Sequence, residues 1–352
     1  MVERGGGACR ERGFLTICIP SRDRPQEALR TVEALVPQIE GTEVVLVILD
    51  NCSSSSYSDV LEGEPRVAEL LAVGRARVVR HACNIGMSAN FMRAFEEVET
   101  EWLWILSDDD DVRPDAVSLI FDAVETYGEK VNFIKFSAKT SSPSGVFHKL
   151  DSLENFIDWN AQSSNAFNGC LLISNGLYRV ESFLPHVGVG YGYANTYIPH
   201  FMMLVEYFAQ GGKGVVVSSI LVDYKVARVG YSYSLVAGLG VGAPKHAILN
   251  VSTDYYKKFT RLFFPHNDFK VIIDLFYHCQ RDSTSYVCGV LSGQYIDYIS
   301  VDRTIVKITL LRLMAFMVRF RGVFKLMISC ASKLNKTVDR HVHEINLRYG
   351  GG

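Results

Sequence analysis

Four consecutive carboxylates, Asp108 to Asp111, follow directly on the apolar run Trp102 to Leu106. An apolar run of strand length that ends in clustered aspartates sets negative charge at the carboxyl edge of a sheet, where open α/β sheets bind their ligands. Carboxylates this close repel one another unless something neutralises them. A hard divalent cation carrying a phosphorylated substrate does so with oxygen ligands. The chemistry that suits such a cluster is metal-assisted reaction of a phosphate ester or nucleotide. An acidic run is also an ordinary solvated loop, and Asp111 stands where it could cap a helix beginning near Pro114. The weight therefore rests on what else the chain brings to the same edge.

Three further polar segments each follow an apolar run. Pro20-Ser21-Arg22-Asp23-Arg24 comes after the strand-like Phe14 to Ile19. Asp50-Asn51-Cys52-Ser53 comes after Val44 to Leu49. Asn84-Ile85-Gly86-Met87-Ser88-Ala89-Asn90 comes after Ala76 to Arg80. Helical spacing fills the gaps over 27–38, 60–71, 88–98 and 114–126, and Val131 to Phe136 reads as a fifth strand. Strand and helix alternating at this short period predict βαβ units and a parallel sheet, with all four loops at one edge. Trp102 and Trp104 read as strand core. From 137 to 230 the pattern is less regular, and Tyr191, Tyr193 and Tyr197, with Tyr231 and Tyr233 just beyond, suit loops around a site. Another strand is expected over 215–222, and helical spacing dominates from about Pro244.

Taken together, the segment from Thr16 to Ala123 resembles the nucleotide-binding half of glycosyltransferase family 2. Ile19 to Arg24 resembles the family's opening Pro-Thr-Tyr-Asn-Arg motif, and Leu49-Asp50-Asn51-Cys52-Ser53 its Val-Asp-Asp-Gly-Ser motif. Asn84, Gly86 and Ser88 match its Asn-x-Gly-x-Ser pattern, with Asn90 one residue early, and Asp108-Asp109-Asp110 ahead of Pro114 resembles its Asp-x-Asp metal motif. The resemblance implies a GT-A, Rossmann-like α/β sheet over 13–230, followed by a C-terminal helical appendage over 244–352. It implies an inverting transfer from a nucleotide-diphosphate sugar to a hydroxyl of a glycan or lipid-linked acceptor, with Mg²⁺ or Mn²⁺ as cofactor.

It also implies roles. Pro20, Ser21, Arg22, Arg24, Asp50, Asn84, Ser88, Asp108 and Asp109 would bind the nucleotide, with Asp50 accepting from the base, and Asp110 would hold the metal. The family's acceptor-side Glu-Asp pair has no counterpart in Tyr193 to His200. His200 lies about where that pair belongs and is the candidate base, with Asn195, Glu206 and Asp223 as further options. Lys225 and Arg228 could reach the diphosphate or belong to a solvated loop. Asn51 and Cys52 replace the usual Asp and Gly of the second loop, and the register of the metal motif within the acidic run stays open. The missing pair keeps a second reading in play, a catalytically degenerate GT-A protein that scaffolds nucleotide sugar or glycan. A nucleotidyltransferase would carry Gly-x-Gly-Thr-Arg after the first strand, where Pro20-Ser21-Arg22 stands.

The chain has 352 residues, 48% of them hydrophobic, enough for a sizeable core. Its formal charge of −2 is unevenly spread, because the last 52 residues hold ten Lys or Arg against three acids. A basic, apolar tail on an acidic body suits peripheral contact with a membrane surface, or a homodimer. In segment 304–330, Lys307, Arg312, Arg319, Arg321 and Lys325 fall within about half of a helical wheel. Nucleic acid is not an expected partner, since the cations sit in one apolar tail without base-stacking loops. Eight scattered cysteines without a CxxC pair read as free thiols. With no apolar leader and no uninterrupted apolar span, the expected location is the cytoplasm, including the inner face of the membrane.

Overall fold

In the computed structural model the described residues are 13–138, 148–162, 169–194, 196–223, 253–263, 304–317 and 320–334, with the isolated positions 273, 296, 339, 340 and 343. They divide into two compact units, 1–231 and 232–352. The first unit is a mixed α/β layer structure around one eight-stranded sheet.

Its parallel half is built from β1 (Leu15–Ser21), β2 (Val45–Asp50), β3 (Ala76–Arg80) and β4 (Trp102–Ile105), in the spatial order β3-β2-β1-β4. β1 and the last five residues of β2 are buried throughout, as continuous apolar runs covered on both faces should be. Ser21 pairs in register with Asp50, and Asp50 with Arg80, so the three strand ends stand side by side. The helices between them are α1 (Pro25–Ile39), α2 (Tyr57–Glu62), α3 (Pro65–Ala72) and α4 (Met87–Glu96). Pro25 at the start of α1 needs no amide partner there and presets the helical φ. The single helix expected over 60–71 is two, because Pro65 lacks the amide to continue the first and starts the second.

Beyond β4 come β8 (Gly176–Arg179), β6 (Phe133–Phe136), β9 (Gly214–Val217) and β7 (His148–Leu150). β8 runs antiparallel between β4 and β6, while β6 and β9 are parallel. The strand expected over 215–222 ends at Val217. The next residues form a separate two-stranded ribbon in which β10 (Val222–Asp223) pairs with β5 (Asp111–Val112). Asp111 therefore opens a short strand, and α5 (Ala116–Tyr127) begins later, after Asp115.

One face of the sheet packs Ile17, Ile19, Leu46, Ile48, Trp102, Trp104, Ile134 and Phe136 under α1 and α5. The other is aromatic: Phe133, Tyr178, Phe183, Tyr207 and Phe208 meet edge-on, tilted or stacked, with centroids 4.4 to 6.2 Å apart among the contacting pairs. Both tryptophans are fully buried, as strand core should be. The helices on that side include α6 (Leu153–Ala161), α7 (Val180–Phe183), α8 (Val187–Gly192) and α9 (Pro199–Ala209).

In the second unit the described helices are α10 (Thr253–Phe263), α11 (Ile305–Met317) and α12 (Arg321–Leu334), so the basic apolar segment is two helices where the wheel assumed one. No helix of the described residues is long and apolar enough to cross a membrane.

Candidate active site

The four loops expected at one edge do converge there, tied by side-chain bonds. From β1, the Ser21 hydroxyl donates to Asp108 Oδ2 and lies 2.6 Å from the Tyr57 hydroxyl. Arg24 spans the acidic run, one guanidinium nitrogen 2.8 Å from Asp108 Oδ1 and the other 2.9 Å from Asp109 Oδ2. Thr31 on α1 donates to the Asp108 carbonyl. Asp108 is 6% exposed, and burial pushes its carboxyl up to about 6 although Ser21 and Arg24 pull it down. Half-exposed Asp109 behaves oppositely. Burial raises it, but bonds from Ser107 and Arg24 outweigh that and hold it below the usual carboxylate range. Adjacent acids thus differ in their affinity for a proton.

Asp50, 1% exposed, is fully engaged: one oxygen accepts from the Ser53 amide at 2.8 Å, the other from Arg80 at 2.8 Å. Arg80 also donates to the Ser53 carbonyl, fastening the second loop. That loop and the first are strained where they meet. Asp23 and Cys52 both have positive φ, at 54° and 60°, which side-chain-bearing residues rarely adopt. They are held by bonds from the Asp23 amide to Ser53 and from the Ser54 amide to Asp23. Strain of this kind clusters at ligand sites.

The other expected residues divide. Pro20 is buried in β1, and Arg22 is half-exposed beside Asp23. Asn84 accepts from Asn51 and from the Gly86 amide, shaping the turn before α4; Gly86, with φ of +86°, supplies the conformation that turn needs. Ser88 is buried and donates to the Thr196 carbonyl, so it joins α4 to the segment before α9. Asp110 is partly buried. His200 stands 1% exposed on α9, with Nε2 3.1 Å from the Leu171 carbonyl. Burial first, and the Lys135 ammonium second, push it down to about 3, so its ring is neutral and a weak proton acceptor. Glu206 is partly exposed and bonded to Gln210. Asp223 lies in β10, opposite Asp111. Tyr191 donates to Glu96, Tyr193 is buried, and Tyr197 is exposed. Asn195, Lys225, Arg228, Tyr231 and Tyr233 lie outside the described residues.

Sequence reasoning missed Arg80, Tyr57 and Ser174. Arg80 had a usable signal, a charge on the last residue of a strand that ends at the site. Tyr57 and Ser174 had none: the Ser174 hydroxyl accepts from the Ser107 amide at 3.0 Å, and its carbonyl from Trp104 Nε1 at 2.7 Å, contacts that exist only once β4 and β8 are neighbours.

The carboxylate oxygens of Asp108, Asp109 and Asp110 are a donor set that suits a hard divalent cation. Among the described residues no group of three or more His, Cys, Asp or Glu could hold a metal by itself.

A parallel four-stranded half-sheet, a following antiparallel strand, a β5–β10 ribbon and an acidic run at the carboxyl edge define a GT-A nucleotide-sugar transferase fold. Residues 16–174 match the family described as Glycosyl transferase family 2, and the protein, which carries that domain, is a glycosyltransferase. Solved structures agree on the fold. The mannosyltransferase PcManGT from Pyrobaculum calidifontis, in complex with GDP-Man and Mn²⁺, superposes with a TM-score of 0.53 at 10% identity, over 97% of this chain and 88% of that one. TarS 1-349 from S. aureus superposes with a TM-score of 0.52 at 12% identity, covering 88% of each chain. The same protein in complex with UDP gives 0.50. No curated protein matches the chain.

Proposed function

We propose that the enzyme transfers a glycosyl group, with inversion, from a nucleotide-diphosphate sugar to a hydroxyl of a glycan or lipid-linked acceptor. The observation that carries this reading is the network joining Ser21, Arg24, Asp108 and Asp109 beside Asp50 and Arg80. In it Asp50 and the Pro20–Arg24 loop take the base and ribose, and the guanidinium groups of Arg24 and Arg80 offset the charge of the carboxylates beside them. Asp110, with Asp108, would hold Mg²⁺ or Mn²⁺, whose charge offsets that developing on the departing diphosphate. His200 is the candidate to receive the acceptor's hydroxyl hydrogen. As a weak base it orients that hydroxyl more than it removes the proton. The PcManGT and TarS complexes, which hold GDP-Man with Mn²⁺ and UDP, support a nucleotide-sugar donor.

The exposed apolar residues between Ile305 and Leu326 support a peripheral membrane contact. Ile305, Val306, Phe316, Phe320 and Leu326 are each more than half exposed, and no acid occurs from Thr304 to Leu334.

The test is calorimetric binding of UDP, dTDP and GDP, with and without Mn²⁺, to wild type and to Asp108→Ala/Asp110→Ala. One diphosphate is expected to bind in a metal-dependent manner and to lose that dependence in the variant. Absence of binding by all three with Mn²⁺ present would sink the reading and bring forward the degenerate scaffold.

A further inference from the structure

Tyr57 is the first residue of α2; it is 1% exposed and its ring belongs to the apolar core under the sheet. Ser56 before it caps the helix by accepting from the Asp59 amide, so the first turn of α2 is fixed locally. A tyrosine buried in this way brings an apolar body and one polar tip that needs partners. That tip reaches the nucleotide edge. The Tyr57 hydroxyl lies 2.6 Å from Ser21 Oγ and accepts the Arg24 amide at 3.1 Å. Arg24 is the residue before α1, so no bond within that helix takes its amide.

The direction of these bonds follows from counting hydrogens. A hydroxyl has one to give. Ser21 gives its own to the ionised carboxylate, at Asp108 Oδ2. In the contact between the two hydroxyls Tyr57 is therefore the donor, and the Arg24 amide takes a lone pair of the same phenol oxygen. One directed chain results: Arg24 amide to Tyr57, Tyr57 to Ser21, Ser21 to Asp108. In such a chain each bond polarises the next.

Asp108 is held at both oxygens, Oδ2 by Ser21 and Oδ1 by the Arg24 guanidinium. Tyr57 stands behind both holders. It orients the hydroxyl of the first and anchors the backbone from which the second reaches. Among the described residues it makes no hydrogen bond to the carboxylate itself.

We infer that Tyr57 is a positioning residue: through Ser21 and the Arg24 amide it fixes the Asp108 carboxylate in the orientation that meets the donor's diphosphate and its divalent cation. The inference rests on the nucleotide-sugar reading above and adds the residue that orients its acidic ligand. Loss of an outer partner that orients a metal-binding group typically costs roughly 10–100-fold in metal affinity.

The experiment is calorimetric titration of UDP, dTDP and GDP into the full chain over a series of Mn²⁺ concentrations, for wild type, Tyr57→Phe, Ser21→Ala and the double variant. Tyr57→Phe keeps the ring and removes only the oxygen. It is expected to raise the Mn²⁺ concentration for half-maximal diphosphate binding by about tenfold, and to regain wild-type diphosphate affinity within about twofold once Mn²⁺ saturates. In the Ser21→Ala background, where the chain is already cut, the same substitution is expected to cost no more than about threefold, the share carried by the Arg24 amide. A tyrosine that only supports the fold predicts a loss that saturating Mn²⁺ does not restore, or the same fold loss in both backgrounds. Either result overturns the inference, as does a wild-type Mn²⁺ requirement in Tyr57→Phe. Wild type that binds none of the three diphosphates, or binds one regardless of metal, overturns instead the reading beneath it. Should Tyr57→Phe fail to fold, Ser21→Ala carries the test, since it cuts the same chain with Tyr57 in place. An Mn²⁺ requirement unchanged in Ser21→Ala would overturn the inference.

Discussion

At the scale of single residues, the site combines buried charge with partial compensation, and Asp108 shows the consequence. Its carboxyl titrates near 6 in the folded chain, held up by burial, against 3.8 ordinarily. The folded chain therefore binds that proton more tightly than the unfolded chain, and this residue's effect on stability turns unfavourable as pH rises from about 4 to 6. Asp108→Asn should accordingly raise the unfolding free energy at pH 7 by on the order of 2–3 kcal/mol. The gain should shrink toward zero at pH 4, where the wild-type group is already protonated. The same variant should lose metal-dependent nucleotide binding. Denaturant melts of both proteins at pH 4 and 7, with a titration at pH 7, check all three; equal midpoints at pH 7 would show that Asp108 is not a strained acid. Asp108, Asp109, Asp50 and Arg24 were legible in the sequence because their types and positions after apolar runs are local facts. Their inequality was not, since it depends on which acid the fold buries and where Arg24 reaches.

At the scale of elements, β4 holds the acidic run in place from one side and α1 from the other. Trp104 is the link on the β4 side: its Nε1 donates to the Ser174 carbonyl, and Ser174 Oγ in turn accepts the Ser107 amide. Trp104→Phe keeps the apolar bulk but strands a buried carbonyl, which costs about 1–3 kcal/mol. The loss should pass to the site, with weaker nucleotide binding and a higher Mn²⁺ requirement than wild type. Measured stability and nucleotide affinity that both match wild type would show that the acidic run is positioned by α1 alone. The alternation of strands and helices up to residue 136 could be read from periodicity, because each element there buries a regular apolar face. The antiparallel insertion of β8 between β4 and β6 could not, because a four-residue strand carries no periodic signal and its partners are 43 and 74 residues away. Proline decided the α2–α3 break, a local rule that the apolar pattern overrode in the reading of 60–71.

At the scale of the whole chain, charge and apolarity are segregated toward the C-terminus. From Thr304 to Leu334 there are cations and no acids, and Ile305, Val306, Leu313, Phe316, Phe320, Val323 and Leu326, in and between α11 and α12, are half exposed or more. Each cation near an anionic lipid surface contributes about 1 kcal/mol, and the apolar side chains add to it on insertion. The full chain should co-sediment with phosphatidylglycerol vesicles and not with phosphatidylcholine vesicles, with binding falling as salt is raised. Binding to neither, together with a doubled mass by light scattering, would assign these helices to a contact between two copies. The sequence by itself determined the parallel core, the edge at which chemistry occurs and the acidic run that marks it, because strand-length apolar runs and the polar turns after them are set by neighbours in the chain. Only the tertiary structure decided which carboxylate is buried, that Arg80 neutralises Asp50, and that His200 is a neutral buried ring. Those are properties of burial and of distance across the sheet, which arise when strands remote in sequence become neighbours.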